Sequence, residues 1–268
     1  MRELTLEEVK EVQLALLKKT SEYCEKENMS CMLGGGTLLG AVRHKGYIPW
    51  DDDIDIMMRR PDYDHFISSF TDPAGDMKVY AYPKDKKYPF PYAKISLETT
   101  RLVEKIGNGI SFDIGVNIDL FPIDGFEDND KEVACRLQKI AHYRKLLDRK
   151  MYPVKKANSL GQKLYKALRN AWCNCVPTGY LLNRIAKLVQ QCKYEGSRRA
   201  GASLGGYGQG EVCQKEWLEK TTRLEFEGDF FDVPIGYQFY LTNLYGDYMT
   251  LPPEEKRVTH HSFKAFWK

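Results

Sequence analysis

Apolar positions follow two rhythms along the chain, one mixing short strands with helices and one almost wholly helical. Thr5-x-x-Glu8 has the form of a capping box, and Val9, Val12, Leu16, Thr20 and Tyr23 follow at helical spacing, which predicts an amphipathic helix to about residue 26. Met32-Leu33 reads as a short strand, followed by Gly34-Gly35-Gly36 and a helix that Thr37 caps. Pro61 suits the first position of a helix reaching residue 70. Alternating β-branched and aromatic residues predict strands at 77–82, 92–96, 101–104 and 116–120. Residues 131–150, 161–174 and 180–195 carry the helical period. A glycine-rich passage at 201–210 leads to a hairpin of 223–226 with 230–233 around Gly228, and Pro234 opens a final helix. The pattern is that of an α+β protein.

The segment Trp50-Asp51-Asp52-Asp53-Ile54-Asp55-Ile56-Met57 puts four carboxylates within five positions, just before an apolar run. If it is extended, Asp51, Asp53 and Asp55 share one face, and Asp52, Ile54 and Ile56 share the other. Two ionised carboxylates about 5 Å apart repel by roughly 3 kcal/mol at an effective dielectric near 20. A divalent cation removes that penalty. Mg²⁺, or alternatively Mn²⁺, is expected, since Mg²⁺ takes a few carboxylates together with substrate phosphates. An EF-hand is excluded, because its sixth and twelfth positions hold Ile56 and Asp62 instead of Gly and Glu. A solvated acidic turn does not normally run straight into a buried strand face such as Ile54 and Ile56.

The glycine turn upstream lets backbone approach a ligand, and the free N–H groups of a helix N-terminus favour anions. It is not a P-loop, because Gly35 and Gly40 are followed by Ala41-Val42 where Lys and Ser/Thr are required. Nor is it a dinucleotide fingerprint, since Leu39 stands where Gly34-x-Gly36 needs its third glycine. A phosphate cradle (Gly35, Gly36, Thr37) and a metal cluster on consecutive elements describe phosphoryl chemistry. Arg43, between the two motifs, is a candidate phosphate contact.

The stretch Gly35-Gly36-Thr37-Leu38-Leu39-Gly40-Ala41-Val42-Arg43-His44-Lys45-Gly46-Tyr47-Ile48-Pro49-Trp50-Asp51-Asp52-Asp53-Ile54-Asp55 closely resembles the signature of the LicD family, phosphotransferases acting on cell-surface glycans. Ile118-Asp119-Leu120-Phe121-Pro122-Ile123-Asp124-Gly125 resembles the family's next block. Lys94 with Thr100, and a C-terminal stretch running from Tyr245 through Lys256-Arg257 to His260-His261, are also similar. The resemblance implies a nucleotidyltransferase-like mixed sheet with flanking helices over residues 1–129. A helical insertion or subdomain at 130–200 and a C-terminal part at 201–268 completing the active site follow. It also implies Asp53 and Asp55 as the metal pair, joined by Asp51, with Asp119 as third catalytic carboxylate and proton acceptor. Lys94, Lys256 and Arg257 become phosphate contacts, and His260 and His261 contact phosphate or shuttle a proton. The implied reaction moves a phospho-alcohol, typically phosphocholine, from a CDP-activated donor to a glycan or lipid-linked glycan such as lipopolysaccharide or teichoic acid, releasing CMP. A choline group calls for an aromatic cage, for which Tyr47, Trp50, Tyr88, Phe90, Tyr92 and Tyr207 offer rings. Ribitol or glycerol phosphate remains open as cargo. A nucleotidyltransferase using a nucleoside triphosphate is the alternative enzyme, and a non-catalytic nucleotide- or sugar-binding module is the alternative class.

Composition changes this picture little: 268 residues, 43% hydrophobic and 29% charged, describe an ordinary globular chain. Acids near the N-terminus, no apolar run of about 20 residues, and seven cysteines without a Cys-x-x-Cys pair predict a cytoplasmic protein with reduced thiols. Charge changes it more. Between Arg136 and Arg169 stand eleven Lys or Arg and one acid, Asp148, against a whole-chain net of +3. That basic region predicts peripheral contact with an anionic membrane at the inner face, at about 1 kcal/mol per basic residue near the surface. No aromatic-interleaved motif points to nucleic acid.

Overall fold

Arg2–Glu3 forms a short strand, β1, and helix α1 (Leu6–Lys26) begins at the expected box: the Thr5 hydroxyl accepts from the Glu8 N–H, and the Glu8 carboxylate accepts from the Thr5 N–H. In this computed structural model residues 1–104, 112–151, 159–258 and 263–268 are described. Strand β2 (Met32–Leu33) runs into α2 (Gly35–His44), whose N-cap is Gly34 and not Thr37. The helix starts at the glycines, and the Thr37 hydroxyl is turned to the acidic segment, where it accepts from the Asp55 N–H at 2.8 Å. Next come β3 (Asp55–Arg59), α3 (Arg60–Ser69) with Pro61 in its first turn, and β4 (Met77–Tyr80).

The two strands expected at 92–96 and 101–104 are one, β5 (Ala93–Glu104), with an irregularity between Leu97 and Leu102. Buried Thr100 holds it, donating to the Leu97 carbonyl at 2.6 Å and accepting from the Val116 N–H at 2.8 Å. Strand β6 (Ile114–Phe126) is longer than the expected 116–120 and leads into α4 (Asp130–Met151), α5 (Leu160–Cys175) and α6 (Thr178–Val189). The last ends before residue 195 because Cys192 bridges to Gly125 of β6. Then follow β7 (Arg199–Gly201), β8 (Val212–Gln214), the turn-length α7 (Glu216–Glu219), and the hairpin β9 (Thr221–Phe226) with β10 (Asp229–Pro234). Pro234 closes β10 and does not open the last helix, α8 (Tyr237–Tyr245), which Gly236 caps. Strand β11 (Phe263–Trp267) ends the fold.

Among the described residues nine strands form one mixed sheet, with the path β1-β11-β5-β6-β3-β2 and with β4, β7 and β8 joined at its sides. All its pairs are antiparallel except β3 with β6. The interior divides into two clusters. One places Leu16 and Leu17 of α1 and Phe66 of α3 against Ile56, Ile95 and Ile118 of the sheet. The other joins Leu147 of α4 to Leu181 and Ile185 of α6, beneath Tyr88 and Phe126. Each such large side chain contributes about 1.5–3 kcal/mol on full burial. At its centre lies the β3–β6 pair, which carries Asp55 and Asp119.

Candidate active site

Because β3 and β6 are parallel and in register at Asp55 and Asp119, these two carboxylates project from the same side of the sheet. Lys94 of β5 is the register partner of Asp119 on its other flank. Asp55, Asp119 and Lys94 thus form one row across three strands. The Lys94 ammonium is ion-paired with the Asp119 carboxylate and donates to Asn117 Oδ1 at 3.0 Å.

Asp51 and Asp53 join this row from the approach to β3. Burial alternates from Asp51 to Ile56, with Asp52, Ile54 and Ile56 buried between partly exposed Asp51, Asp53 and Asp55. Asp52 is nevertheless not segregated: one carboxylate oxygen from each of Asp51, Asp52 and Asp53 lies within 4.8 Å of the others. Strand pairing starts only at Asp55, and Asp51 still donates its N–H to the Ile48 carbonyl of a turn. Without a ladder to hold the pleat, Asp52 stays beside its neighbours, which corrects the opposite-face expectation.

The N-terminus of α2 lies directly over these carboxylates. Gly34 donates its N–H to the Asp55 carbonyl at 3.0 Å. A Cβ on Gly35, which has φ +46, would sit 3.1 Å from Asp55 Oδ2, and one on Gly36 would sit 2.8 Å from Asp51 Oδ2. Glycine is what allows the helix end to come this close. Burial, and then the charges of Asp53, Asp119 and Asp51, push the Asp55 carboxyl well above its ordinary pKa, with Lys94 pulling the other way. A crowd of acids whose mutual repulsion raises a pKa fits a divalent cation, which would reverse that shift.

Two cavities meet at the cluster and share Tyr207. The larger, about 580 Å³, is lined by Gly36, Arg43, Trp50, Asp51, Tyr245 and Tyr248. The smaller, about 140 Å³, is lined by Gly35, Asp55, Tyr92, Phe121, Glu211 and Tyr240. Arg43 donates to the Tyr248 carbonyl at 2.8 Å, and burial together with nearby Arg257 lowers its pKa. The Arg257 guanidinium lies 5.7 Å from the Trp50 ring centroid. Arg43 and Trp50 thus line the larger cavity, and Arg257 lies over the Trp50 ring beside it. Lys256 is exposed on the short helical turn Glu254–Lys256, and His260 and His261 lie outside the described residues. A further cavity, lined by Ser21, Cys24, Arg59 and Arg223 among others, holds none of the clustered aspartates.

Sequence reasoning missed Glu211, Tyr240 and Arg144. Glu211 is 3% exposed, accepts from the Tyr240 hydroxyl at 2.9 Å, and is pushed by burial to a pKa of about 7. Its signal in the sequence is the run Gly205-Gly206-Tyr207-Gly208-Gln209-Gly210, which ends on this carboxylate. Arg144 belongs to the basic stretch but is not a solvated charge: it lines the smaller cavity and donates to the Leu204 and Gly205 carbonyls at 2.7 Å each. Arg136 is likewise buried, donating to the Gly125 carbonyl at 2.6 Å.

A family model described as LicD/FKTN/FKRP, nucleotidyltransferase domain, matches residues 28–101. Over 272 aligned positions, covering 99% of each chain, the protein is 32% identical to the lipopolysaccharide cholinephosphotransferase LicD of Haemophilus influenzae. Shorter matches join it to an uncharacterized protein of Rickettsia typhi, 51% identical over 51 residues covering 19% of this chain and 16% of that one. Another, from Rickettsia prowazekii, is 50% identical over 50 residues, 19% of each.

Proposed function

The chain belongs to the LicD family of phosphotransferases, and we propose that it transfers phosphocholine from CDP-choline to a hydroxyl of a lipopolysaccharide-type glycan, releasing CMP. The observation that carries this reading is the position of the carboxylate cluster where two cavities meet, under the N-terminus of α2. The larger cavity is within the range of about 300–1,000 Å³ typical of small-molecule sites and offers aromatic faces to a nucleoside. The helix end faces the place where a diphosphate would bridge the cavities.

Asp51, Asp53, Asp55 and Asp119 would hold Mg²⁺ or Mn²⁺, which when bound neutralises diphosphate charge and lowers the pKa of the attacking hydroxyl. Asp119 takes the proton of that hydroxyl, and the Lys94 ammonium paired with it holds the carboxylate in position. Arg43 and Arg257 receive charge developing on the leaving CMP. Trp50, Tyr245 and Tyr207 orient the nucleotide and exclude water from the diphosphate.

The same residues would serve attack on a nucleoside triphosphate, so products decide. The protein is incubated with Mg²⁺, a de-acylated lipopolysaccharide oligosaccharide and, separately, CDP-choline, CDP-glycerol, CDP-ribitol or CTP. The proposal expects CMP from CDP-choline together with a phosphocholine-bearing oligosaccharide. Pyrophosphate from CTP with no CMP from any CDP-alcohol overturns it, and CDP binding without turnover would mark a binding module.

Among the described residues no helix is long and apolar enough to cross a membrane. Peripheral contact is proposed instead, through α5. Leu160, Leu164, Tyr165 and Leu168 recur at helical spacing and are 64–86% exposed, and the stretch that contains them is strongly basic. An apolar stripe with basic surroundings is how a helix lies in an anionic bilayer surface, where a lipid-linked acceptor would be met. The proposed location is the cytoplasmic face.

A further inference from the structure

The smaller cavity is too small for a nucleoside. At about 140 Å³ it lies well under the range of about 300–1,000 Å³ usual for whole-ligand sites, so it accepts one compact group. It opens beside Asp55, which places that group next to the phosphorus chemistry. Its walls are rings: Tyr92 and Phe121 pack with centroids 4.6 Å apart, and Tyr207 closes the side shared with the nucleotide cavity.

Its charge is unusual for so aromatic a space. Glu211 is buried, accepting from the Tyr240 hydroxyl and from the Tyr207 backbone, and a buried carboxylate is costly unless a cation or several donors meet it. Arg144 also lines the cavity but is held by the Leu204 and Gly205 carbonyls. With Arg144 turned to these carbonyls and Asp55 committed to the metal cluster, Glu211 is the carboxylate that the cavity offers to a ligand cation. Gly205 makes the arrangement possible, since a Cβ there would collide with Glu211 Oε1.

A quaternary ammonium has no N–H to donate, so it is recognised by ring faces and by a carboxylate near its methyl groups. We infer that the smaller cavity is the subsite for the trimethylammonium group of the donor, with Glu211 as its counter-charge and Tyr92, Phe121 and Tyr207 as its walls. This rests on the phosphocholine reading above and adds the residues that select the alcohol. A neutral polyol brings no positive charge to Glu211 and no cation to the ring faces, which turns the pocket against ribitol and glycerol.

The test separates the subsite from the donor reading by splitting the donor in two. Phosphocholine, glycerol 3-phosphate and CDP are titrated calorimetrically, with Mg²⁺, into the parent protein, Glu211→Gln and Tyr92→Leu. Gln keeps the volume and the bond to Tyr240, and the Leu substitution guards against a Glu211 variant that fails to fold. The expected result is phosphocholine binding weakened about tenfold in both variants, with glycerol 3-phosphate and CDP unchanged. If the parent binds CDP but both variants keep parental phosphocholine affinity, the subsite is overturned and the donor reading stands. If phosphocholine binds in a Glu211-dependent way and CDP does not bind, the subsite stands and the CDP reading falls. If neither phosphocholine nor CDP binds the parent, both are overturned.

Discussion

Asp55 and Asp119 face each other across the parallel strand pair of the sheet, and each is flanked by a charge that pulls its electrostatics in the opposite direction. Asp53 crowds Asp55, while Lys94 pairs with Asp119. Like charges are gathered on one side of the pair and a compensating cation stands on the other. The acidic side is therefore where a metal has most to relieve, and on the other side the Lys94 ammonium fixes the Asp119 carboxylate in place.

Asp53→Asn and Asp55→Asn should each lower transfer by at least about 10²-fold. Neither should lower the melting temperature in EDTA, because each removes charge from a repelling cluster. A variant with near-parental CMP release would remove the metal assignment.

The three acids along β6 and its entry should separate cleanly. Asp119→Asn should abolish transfer and weaken the Mg²⁺ requirement. Asp124 is buried and bound by Arg60 through two hydrogen bonds of 2.7 and 2.9 Å, so Asp124→Ala should cost about 3 kcal/mol of stability by leaving that largely buried guanidinium with the exposed Asp64 as its remaining ion pair. Asp113, exposed beside Arg101, should tolerate Ala within about 0.5 kcal/mol. Urea melts and a magnesium titration of the three variants check this, and activity retained in Asp119→Asn would move the third carboxylate elsewhere.

Glu211 gives a signed pH dependence. Its pKa rises from 4.5 to about 7 on folding, by burial first, so between those values the folded state binds more protons than the unfolded one. Stability from this group is full below pH 4.5 and is lost as pH rises through about 7, by up to roughly 3 kcal/mol. Asp55 and Asp124 shift in the same direction, which is why the parent must be compared with Glu211→Gln. The parent should lose more stability than the variant between pH 5 and 8, and parallel curves would contradict a raised Glu211.

The leucine stripe of α5 should matter to membranes and not to chemistry. Leu164→Glu with Leu168→Glu should abolish sedimentation with anionic vesicles at both low and moderate salt. Reversing Lys139, Lys145 and Lys163 should weaken it most at low salt. CMP release with a short soluble acceptor should be unchanged in both. Failure of the parent to sediment with anionic vesicles at low salt ends the proposal.

What was readable in the sequence was local. The capping box of α1, the glycine turn and the acidic approach to β3 each declare themselves within a few residues, and the blocks around Asp55 and Asp119 were enough to suggest that those two meet. Unity of β5 was hidden because Thr100 stabilises the irregularity with its own hydroxyl, so the segment looked like a break. Asp52 departs from a strand's period of two because pairing begins only at Asp55. Glu211 acquires its meaning only from Tyr240, Tyr92 and Asp55, which are distant in sequence, and a carboxylate after a glycine run otherwise reads as a loop end.

Strand β11 lies between β1 and β5, so the sheet brings the start of the described chain against its end. Arg2–Glu3 can find no pairing partner until residues 263–267 have been synthesised, and until then the outer edge of β5 stays open along Thr100 to Glu104. Assembly of the sheet cannot follow the order of synthesis. A nascent chain that already carries its acidic cluster must still wait with the β5 edge unpaired, a long-range closure that slows folding and leaves a strand edge for other chains to occupy.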